Sequence, residues 1–295
     1  MAEFIQLSIT GVTVGMVYAL IALGFVLIYK SSGVANLALG ELVLLFSWVT
    51  YAMLVQFGLP YWLGFPLVIV AAIFVGWIIE RFALRRLIAQ PILSLIAVTL
   101  GAAYFLRGLI TFIWPWTISP MPKFFPQEPI HFGPAVVSQE YIWAGITSLV
   151  VFGILTLFFK YHKMGIAMRA TADDQLAIQA CGVPVTKIFS QSWVFASVVA
   201  AIGGVLLSSI MGAAHFGILH AGLKTFSVVI LGGLDSFIGC IVAGPIIGLC
   251  ENLGGGYISP LVWGGVKDII PFIVIIIVMF FKPYGLFGEV RIERI

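Results

Sequence analysis

Long apolar runs closed by short polar clusters repeat along the chain, covering 4–29, 34–57, 60–79, 91–113, 141–159, 188–211, 222–253 and 261–281. The first is 26 residues long. As a helix it spans about 39 Å, more than the roughly 30 Å of bilayer hydrocarbon. Only "GLP" (Gly58–Pro60) separates the second run from the third, which places a tight turn there. The seventh run is interrupted by "LGGLDS" (Leu231–Ser236). Gly232 and Gly233 break a helix, and Asp235 or Ser236 can cap the next one. Two half-helices, about 222–231 and 236–251, follow. The pattern predicts an all-α, polytopic transmembrane helical bundle of about eight membrane segments, one of them broken or re-entrant, in a single domain over 1–295.

Composition makes lipid the solvent. Hydrophobic residues are 61% of the 295 and charged residues 9%, with mean hydropathy +1.14, whereas soluble domains carry roughly 25% charge. The net charge of +3 is small, and the basic residues form no nucleic-acid footprint. Cys181, Cys240 and Cys250 fit neither a disulfide framework nor a metal spacing. Glu3 is the only charge before the first run. That run therefore reads as a retained span, not a signal peptide.

Eleven of the fifteen Lys and Arg residues gather at Lys30, at Arg81, Arg85 and Arg86, across 160–187 (Lys160, Lys163, Arg169, Lys187) and at Lys282, Arg291 and Arg294. The positive-inside rule sets these four places in the cytoplasm. The stretch 114–129, rich in Pro and aromatics, becomes an outer, non-helical loop. The N-terminus is then outside and the C-terminus cytoplasmic. Parity requires 222–253 to begin and end on one side, in keeping with its break.

Small residues recur every fourth position at Gly11–Gly15–Ala19, Ala196–Ala200–Gly204–Ser208 and Cys240–Gly244–Gly248, the spacing of closely packed membrane helices. In the second span Asn36, Gly40, Ser47 and Thr50 form a polar, small stripe suited to a translocation pathway or a close helix contact. Glu41 lies off that stripe and needs a partner, a cavity or a proton; a structural partner such as a backbone donor or Arg107 is favoured, with substrate contact as the alternative. Glu251 is a further acid within a span. Lys224 precedes the inferred half-helix, whose N-terminus favours an anion such as a substrate carboxylate. His215 and His220, five apart, are poorly spaced for metal ligation.

Between the fifth and sixth spans stands "RATADDQLAIQACGVP" (169–184). Asp173 or Asp174 reads as an N-cap, "QLAIQAC" as a helix of about two turns, Gly182 as its C′ residue and Pro184 as a stop. So short a helix is marginal by itself and needs something to dock against. No GxxxxGK[ST] motif occurs, and buried acids are few. A transporter of this composition would have no engine of its own, and the projecting cytoplasmic helix suggests that an ATPase partner supplies the energy there.

Three stretches carry a family likeness: "GVANLALGE" (33–41), "MGIAMRATADDQLAIQACGV" (164–183) and "FKPYGLFG" (281–288). Together they resemble the permeases of the branched-chain (hydrophobic) amino-acid uptake family of ABC importers. "VANLALGE" lacks the aromatic and His that the pattern carries before Gly-Glu. The resemblance implies a permease that binds no cofactor, with ATP hydrolysed by a separate cytoplasmic subunit. It further implies a second related permease, an extracytoplasmic binding protein and an inner-membrane location. A coupling helix over 164–187 would include Arg169, Ala170, Asp173, Asp174, Ala177 and Gly182. The alternatives are a permease for urea or short amides and an ion-coupled secondary carrier.

Overall fold

The structure is a computed structural model that describes residues 1–85, 90–114, 116–126, 128–173, 175–262 and 265–288. Arg86, Arg291 and Arg294 of the basic clusters lie outside the described residues. The helices are α1 (Ala2–Ser32), α2 (Leu39–Tyr51), α3 (Tyr61–Ile78), α4 (Ile92–Ile113), α5 (Gln139–Tyr161), α6 (Lys163–Asp173), α7 (Gln175–Ala180), α8 (Val185–Met211), α9 (Gly217–Gly232), α10 (Phe237–Tyr257) and α11 (Val266–Phe281). Single π-helical turns, Ala52–Gln56 and Ile79–Leu84, extend α2 and α3. Between α4 and α5 the chain is non-helical, as the Pro- and aromatic-rich sequence predicts. There β1 (Ser119–Pro120) pairs with β4 (Ala213–Ala214), and β2 (Pro129–Phe132) forms a hairpin with β3 (Ala135–Ser138).

Among the described residues seven helices are long and apolar enough to cross a membrane. The helices α9 and α11 have 16 residues each, about 24 Å at 1.5 Å per residue. Large side chains such as Leu93, Phe105, Phe112, Ile276 and Phe280 are exposed along the helices, a surface that lipid accepts and water does not. The expected all-α polytopic architecture is thus present.

The chain forms two compact units: residues 1–26, 125–152 and 223–295, and residues 27–124 and 153–222. In the second unit α2 is the core helix, buried from Leu39 through Trp48 and packed on α3, α4 and α8. The small stripe of α8 serves this contact. A Cβ on Gly204 would lie 3.1 Å from the Ser47 amide nitrogen, so the two backbones touch directly. Gly76 of α3 plays the same part against Trp193 of α8, where a Cβ would stand 2.8 Å from the carbonyl oxygen.

The first unit is built on two glycine contacts. Gly11 and Gly15 of α1 face Gly248 and Gly244 of α10, backbone on backbone. Two of the three predicted small-residue stripes therefore meet each other. The break in the seventh run falls where the sequence places it. Gly233 has φ +107°, and the Ser236 hydroxyl accepts the Gly239 N–H at 3.0 Å as the N-cap of α10, with Asp235 in the turn before it.

Two carbonyls freed at this break are satisfied by the segment after α11. Leu286 N–H donates to Leu231 O at 2.8 Å and Phe287 N–H to Gly232 O at 3.1 Å. Irregular backbone in a membrane protein persists where protein groups satisfy it, as here. A methyl on Gly233 would stand 2.6 Å from the Gly288 nitrogen. Gly233→Ala should therefore both strain the positive φ and push this segment off, a loss of about 1–3 kcal/mol. A thermal melt of the purified protein checks it, and an unchanged midpoint would refute the clasp.

The second limb of the break is longer than a half-helix. The sequence suggests an end near 251, yet α10 continues to Tyr257 through Gly254, Gly255 and Gly256. Each of these glycines is covered by a partner: Ile270, Lys267 and Leu7 respectively. Packing from α1 and α11 outweighs the poor helix propensity of three consecutive glycines.

Candidate functional site

Three polar assemblies stand out in the otherwise apolar chain. The first is the turn between α5 and α8. Here α6 and α7 pack on each other and on the start of α8. At its end Gly182 adopts φ +82°. Its N–H donates to Gln179 O at 2.9 Å, and Val183 N–H donates to Ile178 O at 3.2 Å. This pair of bonds is the Schellman arrangement, with Gly182 at C′ as the sequence suggests. Pro184 then sits at the N-cap position of α8.

The N-terminal half of that turn differs from the expectation. Asp173 is the last residue of α6, so its backbone is helical and it does not stand before a helix as an N-cap. Asp174 lies outside the described residues, as does the Asp173 side chain. Residues 163–173 form a helix of their own, and Gly165 near its start lies tight against the Phe159 backbone. Arg169 from its middle donates to the Lys160 carbonyl at 3.2 Å, tying down the end of α5. Arg169 and Ala170 belong to α6 and Ala177 to α7.

The second assembly lies between α2 and α4. Asn36 is fully buried, and its Oδ1 accepts the Ala38 N–H at 3.0 Å. This Asx turn starts α2 at Leu39, so Asn36 stands before the helix and not on its stripe. Gly40 lies on α2 and is close-packed: a Cβ on Gly222 would be 2.6 Å from the Gly40 Cα. Glu41, 2% exposed, pairs with the Arg107 guanidinium, one of the structural partners expected from sequence. Arg107 also lies over the Tyr104 ring, 5.3 Å from its centroid. Among the described residues, buried polar atoms of this unit without a hydrogen-bond partner include Glu41 Oε2 and Arg107 Nε of the pair itself, Asn36 Nδ2, and Ser47 Oγ and Trp48 Nε1 further along α2.

The third assembly was only half visible in the sequence. Lys224 is not ahead of a helix N-terminus; it lies inside α9 and is 5% exposed. Its Nζ is 2.9 Å from Glu251 Oε1 on α10 and 2.7 Å from Asp268 Oδ1 on α11. The Tyr18 hydroxyl of α1 donates to the same Glu251 oxygen at 3.5 Å, and Lys267 Nζ is 3.9 Å from it. The sequence signal was there: Lys224 and Glu251 are two opposite charges in one apolar run, and neither can be buried alone.

His215 caps α9 by accepting the Gly217 N–H on Nδ1 at 2.9 Å. Partial burial lowers its pKa, which keeps the ring neutral and able to accept. No group of three metal-ligating side chains occurs among the described residues.

Apolar helices of spanning length, broken backbone closed by protein groups and buried charges paired between helices together define a multi-pass membrane protein. The chain belongs to the family described as the permease component of branched-chain amino acid transport systems, which matches residues 7–279. It is 30% identical over 308 aligned positions to the high-affinity branched-chain amino acid transport system permease LivH of Escherichia coli K12, covering 99% of this chain and 98% of the relative. BraD of Pseudomonas aeruginosa, a permease of the same description, is 29% identical with the same coverage. The probable LivH of Methanocaldococcus jannaschii is 28% identical over 91% of this chain and 88% of its own. Among solved structures, PsaBC of Streptococcus pneumoniae in complex with Fab matches with TM-score 0.53 and 14% identity. That likeness covers 96% of this chain and 93% of the other, and it speaks to the fold alone.

Proposed function

We propose that this chain is the membrane-spanning subunit of an ATP-binding-cassette importer that carries branched-chain or related hydrophobic amino acids across the inner membrane. The observation that carries this reading is the full-length likeness to permeases named for that substrate class. In this reading a cytoplasmic ATPase docks on α6 and α7 and supplies the energy, because the chain itself holds no P-loop sequence. A second, related permease and an extracytoplasmic binding protein complete the assembly. The N-terminus is outside and the C-terminus cytoplasmic, so that the basic clusters face inward. Asn36, Gly40, Glu41, Ser47 and Lys224 belong to or border the pathway.

The turn suits force transmission. A helix closed by two backbone hydrogen bonds and backed by α6 and α8 moves as a body when pushed, where an uncapped loop would bend. Arg169, Ala170, Ala177 and Gly182 are the described residues of the segment that an ATPase would grip; the sequence adds Asp173 and Asp174 to that set.

Uptake of radiolabelled leucine into vesicles carrying the chain with its partner permease, ATPase and binding protein tests the whole reading. Uptake should continue when ionophores collapse the ion gradients, provided ATP is present. Uptake that stops with the gradient would identify an ion-coupled carrier instead. Gly182→Val should reduce ATP-driven uptake at least about tenfold while membrane insertion persists, since a β-branched residue resists φ > 0 and loses the cap. Wild-type uptake in that variant would remove the coupling role of the turn.

A further inference from the structure

We propose that Lys224, Glu251 and Asp268 form a transient binding site for the two charged ends of a zwitterionic α-amino acid; this rests on the amino-acid reading of the substrate given above. Four observations lead there. Both signs of charge are present within a few ångströms, on three different helices. The contacts on Glu251 are lopsided: Lys224, Tyr18 and Lys267 all approach Oε1. Among the described residues Oε2 has no hydrogen-bond partner, although Glu251 is 2% exposed. A buried carboxylate oxygen without a donor is costly, so the position suits a visiting N–H group.

Ser227, one helical turn along α9 from Lys224 on the same face, likewise has a buried hydroxyl with no partner among the described residues. Finally, the assembly reaches the surface. The Asp268 side chain is 62% exposed, while those of Lys224 and Glu251 are 7% and 2% exposed.

The exchange conserves charge and hydrogen bonds. When a zwitterion enters between Lys224 and its acids, the ligand carboxylate replaces Asp268 on the Lys224 ammonium. The ligand ammonium then donates to Asp268 and to Glu251 Oε2. Each lost ion pair is replaced by one of the same sign, so no bare charge is left in an apolar surround. A neutral amide offers neither end and leaves the internal pairs closed. Nor does stability alone account for the triad, because apolar side chains of similar volume often serve a fold as well as a buried ion pair does.

Equilibrium binding of radiolabelled leucine to the purified permease–ATPase complex, without binding protein, reads the site directly. Two competitors each keep one charge: 4-methylpentanoate lacks the amine, and 3-methylbutylamine lacks the carboxylate. Leucine should outcompete both by at least about tenfold, the worth of one charge-assisted hydrogen bond. The double variant Lys224→Met with Glu251→Gln, which removes both buried charges of the triad and leaves only the largely exposed Asp268 carboxylate, should abolish this preference. Asp268→Asn, at a largely exposed position and with Lys224 still paired to Glu251, should reduce it while the thermal midpoint holds. Absence of leucine binding in the unaltered complex, or an unchanged preference in folded variants, overturns the site even when vesicles take up leucine. Vesicles of the unaltered protein that take up no amino acid overturn the substrate reading first, and the site with it.

Discussion

Gly248→Leu should leave no stably folded protein. A side chain at this position on α10 meets the Gly11 carbonyl oxygen, and its Cβ would stand 2.6 Å from the Gly15 nitrogen and 2.7 Å from the Gly15 Cα. None of these is the movable tip of a side chain. The helices would have to separate along the whole seam, and the facing contacts at Gly11 and Gly244 would open with them. Within lipid no hydrophobic force restores the association. Close van der Waals packing carries it, and dispersion fades steeply with a gap of even half an ångström. Gly248→Ala should be milder, at about 1–3 kcal/mol, the usual cost of overpacking. Size-exclusion profiles and thermal midpoints in detergent read both. The control is Gly108→Leu on α4, where a Cβ meets nothing within 4 Å. If Gly248→Leu behaves like that control, the seam does not hold the unit together.

Arg107→Ala should destabilise the second unit by about 2–4 kcal/mol. Removing one partner of a fully buried pair costs about 3–5 kcal/mol, because the survivor is left as an uncompensated charge. The figure is lowered here because the Arg107 side chain is 36% exposed, against 3% for Glu41. The double replacement Arg107→Leu with Glu41→Leu should recover most of the loss, since neither charge remains to be solvated. Thermal midpoints of the four proteins of this cycle give the coupling. Additive effects would mean that the contact contributes nothing.

Local chemistry was readable from the chain, and distant contacts were not. Gly232 and Gly233 announce the break because two adjacent glycines suit no helix interior. Gly182 and Pro184 announce an end to α7 for the same kind of reason. The three glycines at 254–256 mislead for want of knowledge that Leu7, Lys267 and Ile270 cover them. Asp173 resembles a cap in sequence, but α6 had already claimed it as a helical residue. Asn36 fits a helical stripe by counting, yet its own side chain forms the turn that starts the helix. The partner of Glu41 could be anticipated because few cations lie within the spans. Asp268 could not be joined to Lys224, since an acid at the start of a helix already has a local explanation in the helix dipole.

The clasp formed by Leu286 and Phe287 sets an order of events during synthesis. Leu286 follows Leu231 by 55 positions in the chain. At roughly 5–20 residues per second, the carbonyls of Leu231 and Gly232 wait about 3–11 s for the donors that will satisfy them. Until then the corner leaving α9 has its polar backbone open, and the nascent chain needs water, lipid headgroups or an insertion factor to shelter it. Ribosome stalling just after α11 would prolong that unsheltered interval and expose the half-made protein to membrane proteases.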